Sequence, residues 1–216
     1  LNYNHEQAIA CFTKCAELDE NCAMAWWGIA YCLSSSYNWS AGLGPGYDAI
    51  SQAVALKDHC SELEQDLIMA LSKRHTKEAR DNANPAALNM GNSPELNQAF
   101  ADAMAPLYEK YKGNLDVTAI YVEALMNLNP WTLWNKDAAS GEITPVDDST
   151  LMLIKIMEDA FENVPGAKEH PALCHLYCHA LELSPYPERA LPAADVLRTL
   201  MPGCGHLVLS LIHISE

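Results

Sequence analysis

The sequence predicts an all-α protein built from antiparallel helical hairpins. Apolar residues recur at helical spacing along most of the 216 residues. No stretch alternates persistently between apolar and polar residues, so no sheet is predicted. Polar segments rich in Gly, Pro, Asn and Ser separate helix pairs at intervals of roughly 34–45 residues. Together these observations predict hairpins that stack as a repeat array, or solenoid.

The first predicted helix carries an apolar stripe of Ala8, Phe12, Cys15 and Ala16, and it ends at residues 18–21. Later helices in this half are predicted at 22–33, 47–56, 62–77 and 94–111, with loops at 34–46 and 81–94.

The helix at 94–111 has a clear start signal. Ser93 is a suitable N-cap, and Pro94 suits the first helical position. In the second half, helices are predicted at 116–128, 148–163, 170–183 and 187–200, with a segment containing Trp131 and Trp134 before a polar loop at 135–148.

Charge and hydropathy exclude several kinds of partner. Twenty-eight acidic and thirteen basic side chains give a formal charge of −15. Such a field repels nucleic acid and anionic lipid, since both require a basic surface. The longest apolar runs, such as residues 29–33, fall far short of the roughly 20 residues that a spanning helix needs. We therefore predict neither a nucleic-acid nor a membrane partner.

The eight cysteines are too sparse for a disulfide scaffold. Cys11 and Cys15, like Cys174 and Cys178, are four residues apart, which suits free thiols on a helix. The cysteine pattern favours a reduced, cytoplasmic location. Because the chain begins at Leu1 inside a predicted helix, we expect it to be a fragment.

Residues 170–182 are the strongest candidate for a functional site, because they include three of the eight histidines. His175 and His179 are one helical turn apart, and Glu182 lies three residues further along the same stripe. Two imidazoles and a carboxylate on one face could hold a divalent metal such as zinc, with Glu182 as a third ligand or as a hydrogen-bond acceptor behind a ligand. Equally, the three could be a polar stripe inside the helical array. Leu176 occupies the place of the catalytic Glu in H-E-x-x-H, so the thermolysin-type mechanism is absent.

Four further residues are candidates for ligand binding. His170 precedes a proline and either caps the helix or binds with the histidine cluster. His206 lies in a Gly-rich turn that could fold back toward the cluster. Trp39, in a Gly/Ser loop, is the best candidate for a binding-surface aromatic, and Arg189 could bond carbonyls or an acid on the preceding helix.

Packing is the expected role of the remaining distinctive side chains. Cys174 and Cys178 are expected to be buried thiols rather than metal ligands. Packing between helices is expected of four aromatic residues: Trp26, Trp27, Trp131 and Trp134.

Several motifs resemble those of tetratricopeptide-repeat (TPR) domain proteins. Ala8-x3-Phe12 with Cys15 is similar to a TPR second helix, and Trp26-x2-Ile29-Ala30 is similar to the opening of the next repeat. The most specific match is His170-Pro171-x3-His175-x3-His179-x2-Glu182-x2-Pro185-x2-Glu188-Arg189-Ala190. The resemblance spans almost the whole chain and implies a right-handed solenoid, as a single helical-repeat domain over residues 1–208. It implies no particular activity.

The last eight residues depart from that resemblance. Residues 209–216 read like translated sequencing-adapter DNA, so we expect a non-native tail and give His213 no functional weight.

Two functions follow as expectations. The first is a scaffold whose concave face binds a protein or peptide, without catalysis. The alternative is a metal-dependent or histidine-assisted enzyme, hydrolase-like, that uses His170, His175, His179 and Glu182. We favour the scaffold, because no complete catalytic constellation is present and a fold alone does not imply an activity.

Overall fold

The computed structural model describes residues 4–37, 45–82, 93–200 and 204. It is 70% helix and 4% strand, which confirms the all-α prediction. Among the described residues, no helix is both long and apolar enough to cross a bilayer. The chain divides into two compact units, at residues 4–111 and 112–204, named here the first and second unit. The single repeat domain over residues 1–208 stays a prediction, and residues 209–216 lie outside the described part.

The described residues of the first unit form helices joined by turns. Its helices are α1 (His5–Leu18), α2 (Ala23–Cys32), α3 (Pro45–Leu56), α4 (Glu62–Leu71), α5 (Lys77–Asp81) and α6 (Pro94–Lys110), with a 3-10 turn at Lys57–His59. The Ser93 hydroxyl accepts the Leu96 N–H, so the predicted N-cap of α6 is confirmed. Ser61 caps α4 in a capping box with Glu64.

One predicted helix is interrupted. The sequence predicted a single helix over 62–77, but α4 ends at Leu71 and Thr76 caps a separate short helix, α5. The intervening turn directs two side chains inward. Arg74 is hydrogen-bonded to Asn97, and His75 is hydrogen-bonded to Ser34. Tertiary hydrogen bonds here override the local helical pattern.

Close packing joins α1 to α2. A Cβ atom placed on Gly28 would lie 2.6 Å from the ring of Phe12, so only glycine admits the ring at this distance. A small residue on α2 and an aromatic residue on α1 thus meet between the two helices. Farther along, α4 contacts both α2 and α3 of the preceding hairpin and also α6.

The second unit combines helices with a short ribbon. Its elements are α7 (Leu115–Met126), β1 (Trp134–Lys136), β2 (Ile143–Pro145), α8 (Asp148–Asn163), α9 (Pro171–Leu181) and α10 (Leu191–Leu200), with 3-10 turns at Ala167–Glu169 and Pro187–Ala190. The helix predicted at 187–200 therefore begins as a 3-10 turn, and α10 starts at Leu191.

The absence of a sheet was predicted wrongly. Strands β1 and β2, in the predicted 135–148 loop, pair antiparallel with Trp134 opposite Pro145. Each strand has three residues, too few for alternation to be visible in the sequence. The turn between them is held by the Asp137 carboxylate, which accepts N–H bonds from Ala139 and Ser140.

The core of the second unit is formed by α7 and α9. All residues of α7 from 117 to 126 are buried, and so are all residues of α9 from 172 to 181. Helix α9 contacts α7, α8 and α10. Since residues 117–126 and 172–181 are covered on every side, any polar side chain within these two stretches lies in the interior.

The Phe12–Gly28 contact generates a stability prediction. Gly28→Ala should lower the free energy of unfolding by about 1–2 kcal/mol, because the steric cost of overpacking exceeds the gain in helix propensity. In a Phe12→Ala background the same change should become neutral or stabilising, since the ring is gone. Urea denaturation of the four proteins measures both values. Equal effects of Gly28→Ala in the two backgrounds would contradict the contact.

Candidate functional site

The structure brings His175, His179 and Glu182 together, as their spacing predicts. The side chains of His175 and His179 are 0% and 6% exposed, and their ring centroids lie 4.6 Å apart, edge to face. Helix α9 fixes this geometry, because residues four apart share one face. The cluster is therefore a buried group inside the core.

Glu182 is a hydrogen-bond partner of His179. Its Oε1 atom lies 2.8 Å from Nδ1 of His179, a hydrogen bond in which the imidazole N–H donates. The carboxylate is itself nearly buried, at the C-terminal end of α9. Glu182 thus orients the His179 ring, which is the acceptor role that the sequence left open.

The predicted metal site requires more ligands than the cluster supplies. Zinc is held in proteins by at least three side-chain ligands. Within the part of the chain that the structure describes, no three His, Cys, Asp or Glu side chains are arranged to hold a metal ion. Two imidazoles with a carboxylate already bonded to one of them fit half of such a site. Zinc at His175, His179 and Glu182 stays a prediction.

Trp131 lies beside this cluster. It was expected to be packed in the protein, but it is largely exposed. Its ring centroid is 6.0 Å from that of His179, yet the side chain is 55% exposed. Its backbone φ is +62°, in the left-handed region that bulky residues rarely adopt. The packing prediction is confirmed for Trp27 and Trp134, whose indole N–H groups donate to the carbonyls of Leu67 and Ala180.

His170 caps α9. Its Nδ1 accepts the N–H of Leu173 at 3.3 Å, and its Nε2 lies 3.3 Å from Oδ1 of Asp116, near the start of α7. The capping alternative is therefore confirmed, and His170 also joins the N-terminal ends of α7 and α9.

Arg189 pairs with an acid, but that acid is on α8 and not on the preceding helix, α9, where one predicted alternative places it. Its guanidinium bonds Glu158 on α8, and the hydroxyl of Tyr177 donates to the same carboxylate at 2.6 Å. Burial and the Glu158 charge raise the pKa of Tyr177, so its phenol stays protonated. The other two ligand candidates, Trp39 and His206, lie outside the described residues.

Both thiols on α9 are buried. Burial raises the pKa of Cys174 to about 11 and that of Cys178 to about 12, which favours the protonated thiol at neutral pH. This agrees with their predicted role as buried thiols.

No protein-family model, curated protein or solved structure matches the chain. The TPR resemblance accordingly stays a prediction carried by the sequence motifs.

Sequence reasoning missed a second histidine site, in the first unit. Nε2 of His75 is 2.7 Å from Oγ of Ser34, and the ring lies directly against Gly46 on α3. Burial, together with the neighbouring charge of Arg74, lowers the pKa of His75 to about 4. No local pattern signals this contact, since Ser34 and His75 are 41 residues apart.

The neighbouring Arg74 is a buried cation that the sequence did not indicate either. Its Nε and Nη2 atoms donate to Oδ1 of Asn97 at 3.1 and 2.8 Å, and its guanidinium lies over the ring of Phe100. Arg74 therefore fixes α6 against the end of α4, which is a structural role.

The lowered pKa of His75 predicts acid sensitivity. Unfolded chains take up a proton on this residue as the pH falls through its ordinary value of 6.5, whereas the folded protein does so only near 4. The stability contributed by the neutral imidazole is complete above that ordinary value and is lost as the pH falls toward 4. Between about pH 7 and about pH 5, His75→Gln should lose about 1–2 kcal/mol less stability than the parent protein.

Urea denaturation at the two pH values measures this difference. His59→Gln is the matched control, because His59 is exposed and lies outside the His75–Ser34 contact. A His75→Gln variant as acid-sensitive as the parent would contradict the assignment.

Proposed function

We propose that this chain is a TPR-like helical-repeat scaffold that binds a protein or peptide partner. The strongest support is a packing pattern that occurs in both units. Helix α4 contacts both helices of the preceding hairpin, α2 and α3, and also its own partner α6. Helix α9 does the same with α7, α8 and α10. Repetition of one nearest-neighbour pattern is the physical basis of a repeat array, and such arrays commonly serve as binding surfaces.

Burial of the histidine cluster favours the scaffold over the enzyme alternative. A hydrolase must admit both water and substrate to its reacting centre. His175 is fully buried, and the only carboxylate described beside His179 is already hydrogen-bonded to it. The same arrangement is well suited to holding α9 in place.

Charge indicates the kind of partner. With a net charge of −15, the chain attracts basic segments and repels acidic ones. We therefore propose a positively charged protein or peptide partner, whose binding weakens as salt is added because charge attraction is screened.

Selection of random peptides displayed on phage tests this function. The purified chain should enrich peptides of net positive charge that bind with micromolar affinity, and their binding should weaken at high salt. An unrelated acidic helical protein serves as the control and should not enrich the same peptides. Enrichment no better than this control would contradict the scaffold. So would stoichiometric zinc that is lost in a His175→Ala/His179→Ala variant, which would favour the enzyme.

A further inference from the structure

The second unit exposes apolar side chains at one end of its buried helices. Large exposed apolar residues described in this unit are Trp131, Leu151, Met152, Leu183, Tyr186, Leu191 and Leu200. Trp131 follows the C-terminal end of α7, and Leu183 and Tyr186 follow the C-terminal end of α9. Exposed apolar side chains that lie close together mark a candidate contact surface, and of those described here Trp131, Leu183 and Tyr186 follow the ends of α7 and α9.

Helices α7 and α9 run in the same direction, which places these ends side by side. Near their starts, Asp116 contacts His170. Near their ends, Trp131 contacts His179, and the Trp134 indole donates to the Ala180 carbonyl at 2.7 Å. The loops after the two helices therefore meet at one edge of the unit.

Leu183 lies in the turn that follows the end of α9 at Leu181. It comes four residues after His179, the residue whose ring Trp131 contacts. Tyr186 belongs to the same turn, where its N–H donates to the Ser184 hydroxyl at 3.0 Å. Trp131, Leu183 and Tyr186 are 55%, 55% and 52% exposed. These three residues are named the aromatic edge.

The backbone of Trp131 supports a binding role for its side chain. A left-handed conformation is strained for a bulky residue, and strained residues cluster at ligand sites. Burial of apolar surface offsets little of this strain, because Trp131 is 55% exposed. A partner that covered the indole would recover the missing apolar burial.

Charge complementarity identifies the partner as basic. Residues 112–200 carry thirteen acidic and six basic side chains. Glu188 is an exposed carboxylate at the α9 end of the aromatic edge, and the cation described beside it, Arg189, is paired with Glu158 and lies 6.0 Å from the centroid of the Tyr186 ring. The exposed face of an indole attracts Lys and Arg side chains through its negative quadrupole.

We propose that the aromatic edge is the docking surface for a basic peptide segment of a partner protein, with an Arg or Lys side chain over Trp131 and an apolar side chain against Leu183. The inference rests on the proposed scaffold function and adds its location and chemistry. Because residues 117–126 of α7 and 172–181 of α9 are buried, a partner that contacts these two helices does so near their ends.

The test uses two fluorescein-labelled dodecapeptides, one of alternating Arg and Leu and one of alternating Glu and Leu. Fluorescence anisotropy should show that the whole chain binds the Arg–Leu peptide and not the Glu–Leu peptide. Trp131→Gly, which also relieves the backbone strain, and Leu183→Ala should each weaken binding about tenfold. Leu191→Ala is the matched control, since Leu191 is an exposed apolar residue outside the aromatic edge, and it should bind like the parent.

An NMR titration is a second measurement of peptide binding, and it does not depend on the affinity of the variants. The indole N–H signal of Trp131, identified by its absence in Trp131→Phe, should shift on addition of the Arg–Leu peptide. Parent-like binding by Trp131→Gly, an equal loss in Leu191→Ala, or no preference for the Arg–Leu peptide would overturn the inference. The scaffold would survive any of these results if phage selection still enriched peptides, so the two failures are distinguishable.

Discussion

Complete burial of α9 is the constraint on which the second unit depends. A helix covered on all sides cannot leave its polar side chains to water, and an unsatisfied buried polar group is costly. His175 lies in the middle of this helix and His179 in its last turn. The hydrogen bond from His179 to Glu182 meets part of that requirement inside the core. The contacts that His170 and Trp134 make with neighbouring elements then fix both ends of α9.

This arrangement separates the histidine cluster from the exposed residues that follow it closely in the sequence. His175, His179 and Glu182 lie in the interior, where they help to hold helices together. Exposed apolar side chains lie at the ends of α7 and α9. Trp131 connects them to the buried cluster, because it is exposed and also contacts the ring of His179. The histidines look catalytic in the sequence. We propose that their role is instead to support a surface that recognises a partner.

Features set by local chemistry were predictable from the sequence, and features set by distant contacts were not. The Ser93 cap, the His170 cap and the shared face of His175 and His179 depend on residues within one or two turns, so spacing reveals them. The β1–β2 ribbon, the break after α4 and the exposure of Trp131 depend on tertiary contacts or on very short elements. The Ser34–His75 contact joins residues far apart in the chain, and a single sequence carries no pattern for it.

The free energy of unfolding of Glu182→Ala, measured by urea denaturation beside Glu188→Ala, tests the central claim most directly. Both variants lose one carboxylate near the end of α9, but only Glu182 is bonded to a buried imidazole. If the cluster serves the core, Glu182→Ala should lose about 1–3 kcal/mol, because it leaves the His179 N–H without its acceptor. Glu188→Ala should stay within about 0.5 kcal/mol of the parent. A Glu182→Ala variant as stable as the parent, or more stable, would contradict the account, since residues kept for catalysis often cost stability.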